Sequence, residues 1–250
     1  MVSRMSQIPV LMYHHIAPHP GDTVTVRPEV FAGQMRLLTE SGYRFLSADE
    51  LVDHVTGANP VQEKAVAVTL DDGWLDNYLN AYPVLERLGI KATVFVITGR
   101  TDAASILGCK SSAEIPIHEE AKKHILEGHA ERVVLDWKTI RSMASGGLLG
   151  FHSHTVSHRR CAELSSGELL HELSASKQAL ERELGRIADY LCWPYGSFSD
   201  DAVRIAVQAG YRALFTTMDG FCLPGSDPLR IPRIEAQDSV EWLRMRLAQG

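Results

Sequence analysis

The sequence predicts an α/β fold whose mostly parallel sheet curls toward a barrel of about seven strands. Three observations carry that expectation. The chain has 250 residues, 45% apolar and 22% charged, which suits one large α/β unit with a full core. Short β-like runs alternate with amphipathic helical segments, the pattern that pairs strands in parallel through crossover helices. Titratable residues stand directly after several of those runs, where the loops of a parallel sheet converge. About seven such units favour a barrel-like sheet over an open one.

Taken in order, IPVLMYH (8–14) reads as a buried strand. PEVFAGQMRLLTES (28–41) sets Val30, Phe31, Met35, Leu37 and Leu38 at helical spacing, with Pro28 suited to a first turn and Gly42 ending the helix. Ser47 and Glu50 form a capping-box pattern that opens a short helix. KAVAVTL (64–70) is the clearest buried strand. NYLNAYPVLERLG (77–89) is a helix closed by Gly89, with Pro83 bending it or marking a late start. ATVFVIT (92–98) is the next strand.

Residues 99–136 show no clean strand and read as an insertion in a single domain spanning 1–250, with EEAKKHILEG (119–128) its best helix. WKTIRSMASGG (137–147) then leads into LLGFHSH. Ser165 and Glu168 cap a long helix running to about Leu184. ADYLCWPYG (188–196) is a strand leaving into a loop, SDDAVRIAVQAG (199–210) a helix, YRALFTT (211–217) a strand, LRIPRI (229–234) a short extended piece and SVEWLRMRLAQ (239–249) a last helix.

The bulk properties exclude several classes. A net charge of -6 without a basic run argues against nucleic acid and favours a neutral or cationic substrate. Cys109, Cys161, Cys192 and Cys222 form no CxxC pair, so a zinc ribbon, a thioredoxin-like motif and a disulfide scaffold are unsupported. No G-x-G-x-x-G or P-loop motif follows a strand. No apolar run reaches the ~18 residues of a membrane span. The opening MVSRMSQIPVLMYHH is too short in apolar residues for a signal peptide, so the expected location is cytoplasmic, or the periplasm or envelope if the chain is trimmed from a longer one. Nothing in the sequence fixes an oligomeric state.

The residues after the strands are Tyr13-His14-His15, Asp71-Asp72-Gly73, the cluster His152, His154 and His158, Pro194-Tyr195-Gly196 and, near the last extended piece, Arg233. Adjacent carboxylates repel and need a neutralising partner. Because neighbouring side chains diverge, Asp71 and Asp72 can take different tasks, one binding a cation and one acting as a base. In GFHSHTVSH, His152 and His154 share a face if the backbone is extended, and His154 and His158 do so if it coils. The local pattern leaves that choice open. Two histidines and a carboxylate from another strand would bind a divalent metal with coordination positions to spare.

TLDDG (69–73), HSHTVSH (152–158) and WPYG (193–196), in that order, resemble the leading motifs of the polysaccharide deacetylase family, the NodB-homology carbohydrate esterases, over roughly residues 8–234. The resemblance implies a distorted, incomplete (β/α) barrel. It maps H-[ST]-x-x-H onto His154 and His158, which with Asp72 would be the metal ligands. Asp71 would be the general base, and His152 a supporting or packed residue. The implied metal is a divalent ion, zinc first, with Co, Ni, Mn or Fe as alternatives. VLMYHHI, followed by RPEVF, resembles the bacterial poly-β-1,6-N-acetylglucosamine deacetylases, which makes His14 the expected acid and His15 the weaker claimant.

Two departures matter. Leu70 replaces the family's usual Phe, and Cys192 stands where an Arg usually pairs with the base, a place Arg233 is expected to take. The implied reaction removes the N-acetyl group of an N-acetylhexosamine unit in a glycan and releases acetate. Pro194 and Tyr195 would provide the oxyanion wall, and Trp74 and Trp193 would stack on sugar faces. The alternatives are an O-acetyl esterase using the same metal site and a glycan-binding module without catalysis, which would need neither Asp71 nor His14.

Overall fold

The computed structural model describes residues 7–19, 21–109 and 115–249. The reading of the extreme start, and part of that of 99–136, lie outside the described residues. The chain begins with β1 (Ile8–Tyr13) and a small pair, β2 (His15–Ile16) and β3 (Thr25–Val26). It continues through α1 (Pro28–Glu40), β4 (Arg44–Leu46), α2 (Ala48–Thr56), β5 (Ala65–Leu70), α3 (Tyr82–Leu88), β6 (Ala92–Val96), α4 (Thr98–Leu107), α5 (His118–Leu126) and α6 (Trp137–Ser145). There follow β7 (Leu149–Ser153), α7 (Ser166–Leu184), β8 (Tyr190–Cys192), α8 (Asp200–Gln208), β9 (Ala213–Phe215), β10 (Phe221–Cys222), β11 (Ile234–Glu235) and α9 (Val240–Leu247). Among the described residues no helix is long and apolar enough to cross a membrane.

Local chemistry accounts for most boundaries. Pro28 sits in the first turn of α1, where its missing N–H costs nothing. Ser47–Glu50 and Ser165–Glu168 form complete capping boxes at α2 and α7, each satisfying two orphan donors. Pro83 lies at the start of α3, after a wider π-helical turn at Asn77–Ala81, so it marks a late start. The helix α4 is absent from the sequence reading because its signals are weak: it lacks a side-chain cap and has Gly99 in its first turn.

The sheet order is β10-β1-β5-β6-β7-β8-β9, parallel from β1 to β9, with β10 antiparallel on β1. β4 pairs with the first half of β5. The ring is bridged by the LRIPRI segment: Ile231 bridges to Phe215 on β9, and Ile234–Glu235 pairs with β1. The expected curled, incomplete barrel is the fold, and two short pairings span its gap.

Strand alternation sorts the two faces. Ile8, Val10, Ala65, Ala67, Phe95, Tyr190, Cys192, Ala213 and Phe215 form one buried cluster. Their neighbours Leu11, Val66, Val68, Val94 and Val96 pack outward against α1, α3 and α6. Leu51, Val52 and Val55 of α2 join the inner cluster, next to the first residues of the strands. They close that end of the barrel, each contributing about 1.5–3 kcal/mol of burial. The opposite, carboxyl-terminal end is left open for polar groups.

Candidate active site

Ala65, Ala67 and Thr69 face inward, so the period of two carries Asp71 inward as well; its N–H continues the pairing to Tyr13 O at 2.8 Å. Asp71 is almost fully buried, and its two carboxylate oxygens accept from Arg233 Nη1 at 2.8 Å and Nη2 at 2.7 Å. Arg233 also donates to Thr216 O, Thr69 Oγ1 and Cys192 Sγ. Burial alone would raise the Asp71 carboxyl, but the guanidinium overcomes it and holds the group at about 2. The small Cys192 side chain leaves room for a guanidinium that arrives from the bridging segment. Arg233 therefore stands on Asp71, as the departure at Cys192 led one to expect.

Asp72 points the other way. Its Oδ1 lies 3.2 Å from His158 Nε2 and 3.4 Å from His154 Nε2, and its Oδ2 accepts from Trp74 Nε1 at 3.0 Å. His154 Nδ1 is 2.8 Å from Cys192 O; because a carbonyl only accepts, Nδ1 carries a proton, which leaves Nε2 as the nitrogen that faces Asp72 and would ligate a cation. Asp72 Oδ1 is buried without a hydrogen-bond partner. A buried carboxylate oxygen facing two imidazole nitrogens, with no donor of its own, is what a divalent cation would satisfy. The donor set Asp72, His154 and His158 fits such an ion. The neighbouring set Asp71, His154 and Cys192 fits less well, because Arg233 already donates to two of its members.

The histidine loop resolves the spacing. β7 ends at Ser153, His154 N still donates to Val96 O, and a turn returns His158 until the two rings lie 4.8 Å apart. His152, lower on the same inward face, packs 4.6 Å from Tyr190 and 6.4 Å from Phe95. Burial pushes its pKa down to about 4, so it stays neutral. The turn is held by Glu172 of α7, whose carboxylate accepts from Val156 N, Ser157 N and Ser157 Oγ.

Among the described residues, the non-glycine positions with positive φ are Asp72, Thr155, His158 and Tyr195, at 71, 65, 61 and 56°. All four border this site. Such backbone costs on the order of 1–3 kcal/mol per residue and persists where surrounding bonds fix it, as it does around functional groups.

His14 Nε2 is 3.9 Å from Asp71 Oδ2, with its side chain partly open to the cleft. His15 turns away: its Nδ1 meets Asp76 Oδ2 at 2.5 Å and its ring stacks on Trp74 at 4.2 Å. Pro194 opens a tight turn in which Tyr195, more than half exposed, sets its ring 4.5 Å from His158. A Cβ on Gly196 would meet Thr217 Oγ1 at 2.0 Å, so that turn requires glycine. Trp74 and Trp193 line the cleft but are buried, one bonded to Asp72 and the other stacked on Phe198 at 5.9 Å. Neither offers the free face that stacking on a sugar requires, because both lie in the packed wall beneath the loops. The exposed aromatic is Tyr195.

These residues open into a cleft of about 620 Å³, which Val24, Arg100, His118, Lys122 and Thr217 also line. Sequence reasoning missed those five. Arg100 stands just after β6, so the strand-end rule that found the other residues would have found it; His118 and Lys122 follow no strand and carried no such signal.

The family model described as Polysaccharide deacetylase matches residues 58–214. A Bacillus subtilis protein named as a candidate polysaccharide deacetylase, YxkH, is 28% identical over 215 residues, covering 86% of this chain and 66% of that protein. The Staphylococcus aureus poly-beta-1,6-N-acetyl-D-glucosamine N-deacetylase is 24% identical over 224 residues, covering 86% and 69%. The chain thus spans about two thirds of these curated relatives. Among solved structures, the Streptococcus pyogenes deacetylase PplD, in complex with acetate, superposes with a TM-score of 0.79 at 28% identity, covering 96% of this chain and 97% of that one.

Proposed function

The chain belongs to the polysaccharide deacetylase family of hydrolases, and we propose that within it the chain is a metal-dependent N-deacetylase acting on N-acetylhexosamine units of a saccharide or polysaccharide. The observation that carries this reading is the convergence of Asp72 Oδ1, His154 Nε2 and His158 Nε2, with Asp71 and His14 on the same cleft. The S. aureus relative, named for N-deacetylation of poly-β-1,6-N-acetylglucosamine, supports the choice of amide and sugar. Asp72, His154 and His158 would hold a divalent ion, with zinc the first expectation for a two-histidine, one-carboxylate set. When bound, such an ion supplies Lewis acidity for the acetyl oxygen and lowers the pKa of a water to about 7.

The chain's own groups then divide the proton traffic. Asp71, kept ionised by Arg233, takes one proton from the attacking water as the oxygen joins the acetyl carbon. Its low basicity suits a water already acidified. The Tyr195 N–H, in a turn locked by Gly196, would donate to the developing oxyanion. His14 gives its proton to the sugar nitrogen as the carbon–nitrogen bond breaks, so that amine and acetic acid leave. The acid ionises to acetate, and of its proton and the one on Asp71 one restores His14 and the other passes to solvent or the amine.

The test is acetate release from a panel of N- and O-acetylated saccharides, with metal analysis of the purified chain and a chelator control. Chelator-sensitive release from N-acetyl sugars is the expected result. Release confined to O-acetyl esters, or activity indifferent to metal removal, would count against the reading.

A further inference from the structure

One wall of the cleft is basic in a protein whose net charge is -6. Arg100 of α4 and His118 and Lys122 of α5 line the same space as Asp71, Asp72, His14, His154 and His158. We propose that Arg100, His118 and Lys122 form a subsite for an anionic substituent, a carboxylate or phosphate, on the glycan that enters the cleft. The proposal rests on the deacetylase reading for what else the cleft binds.

Charge balance is the first argument. The carboxylates inside the cleft are already committed: Asp71 to Arg233, and Asp72 to an indole N–H and to the cation that its Oδ1 would hold with His154 and His158. Arg100, half-buried, makes no ion pair or hydrogen bond through its side chain among the described residues. Lys122 meets Glu119 at 3.3 Å, but both are solvent-exposed, and such a pair contributes about 0–1 kcal/mol. Asp22 lies near enough to His118 to add some negative potential, yet it is exposed and caps Val24 N. The positive charge on this wall is therefore not cancelled from within. A partly desolvated guanidinium without a partner favours a planar oxyanion, which it can bind through two N–H groups, over a neutral hydroxyl.

Positioning is the second argument. The first turn of α4 is fastened to the metal-site loop, with Thr98 N on Thr155 O at 3.1 Å and Gly99 N on Val156 O at 3.0 Å. A Cβ on Gly99 would come within 2.7 Å of Val156 O, so the contact admits only glycine and fixes the backbone from which Arg100 projects. His118 is anchored from the other side. Its Nδ1 lies 3.0 Å from His15 Nε2, and His15 Nδ1 is held by Asp76, whose other oxygen accepts from Ile16 N and Asn77 Nδ2. Burial opposes charge on His15, but Asp76 overcomes it and raises its pKa, whereas burial and His15 lower that of His118. His15 then donates from both ring nitrogens, His118 accepts at Nδ1, and an N–H remains at His118 Nε2 for an acceptor. This gives the buried His15–Asp76 pair, which the deacetylation steps do not use, a positioning task.

The test is calorimetric titration of the full chain, zinc-loaded and zinc-free, with N-acetylglucosamine, N-acetylglucosamine 6-phosphate and N-acetylmuramic acid. The zinc-free arm separates the wall from direct phosphate–metal binding. At low salt at least one anionic sugar is expected to bind roughly ten- to hundred-fold more tightly than the neutral one, and the arm that does so distinguishes phosphate from carboxylate. Arg100→Gln should remove most of that advantage, Lys122→Gln a smaller part, and Arg100→Lys should keep a portion. Equal binding of all three sugars, or an advantage indifferent to Arg100→Gln, overturns the proposal. Acetate release by the same preparation judges the deacetylase reading separately. Anionic preference without acetate release keeps the subsite and removes that reading; acetate release without the preference does the reverse.

Discussion

Replacing Arg233 by Met tests whether Asp71 is kept as a buried carboxylate by one guanidinium. The two residues are 1% and 2% exposed and share hydrogen bonds of 2.8 and 2.7 Å. Methionine keeps part of the stem but none of the donors, leaving Asp71 with a thiol at 3.4 Å and His14 at 3.9 Å. Stranding a buried charge costs about 3–5 kcal/mol. Part of this follows from ionisation: lowering the carboxyl from 3.8 to about 2, at about 1.4 kcal/mol per pH unit, amounts to ~2 kcal/mol.

Because the folded pKa is depressed, that increment is fully present above the unfolded value of about 3.9 and is lost as pH falls through about 2. Urea unfolding of the metal-free chain at pH 7 is the assay. Arg233→Met should lose about 3–5 kcal/mol. Adding Asp71→Asn should recover roughly 2 kcal/mol, since the stranded charge is gone. The gap between wild type and the double variant should narrow between about pH 4 and pH 2. Strictly additive losses, or a single variant within about 0.5 kcal/mol of wild type, would refute the reasoning.

Three further outcomes follow from the site. His154→Ala or Asp72→Asn should abolish stoichiometric metal in elemental analysis while leaving far-ultraviolet circular dichroism unchanged; retained metal would show that the ligand set is wrong. His14→Ala should keep its metal and lose roughly 10²–10⁴-fold in kcat for acetate release, and normal kinetics would send the acid role elsewhere. Glu172→Ala, which frees Val156 N, Ser157 N and Ser157 Oγ, should weaken metal affinity roughly 10–100-fold in competition with a chelator, with Glu172→Gln intermediate.

The sequence determined a good deal. Its capping boxes at Ser47 and Ser165, the apolar runs of β1, β5 and β6 and the helical spacing of α1 are local signals, and each recurs as an element. Strand-end placement brought out Asp71 and Asp72, the cluster His152, His154 and His158 and the pair His14 and His15, because a parallel sheet directs all its carboxyl ends to one side. The family resemblance then chose His154, His158 and His14 among them. What local pattern did not carry were the two-residue strand β10 and the pairing of β11, both of which find their partners more than 200 residues away in sequence. The helix α4, with its weak start, was equally silent.

Only the tertiary structure decided how the candidates are shared out. His152 and His154 have the same phase on one strand, but the turn clamped by Glu172 brings His158 to His154 and leaves His152 in the barrel. Asp71 and Asp72 are neighbours in the chain, yet the positive φ at Asp72 turns one toward Arg233 and the other toward the imidazoles. Arg233 reaches Asp71 across 162 residues because the bridging segment closes the ring beside a small cysteine. Residue types and spacing name the groups that chemistry needs. Which group meets which depends on backbone turns and strand closure, and those are set by contacts between segments far apart in the chain.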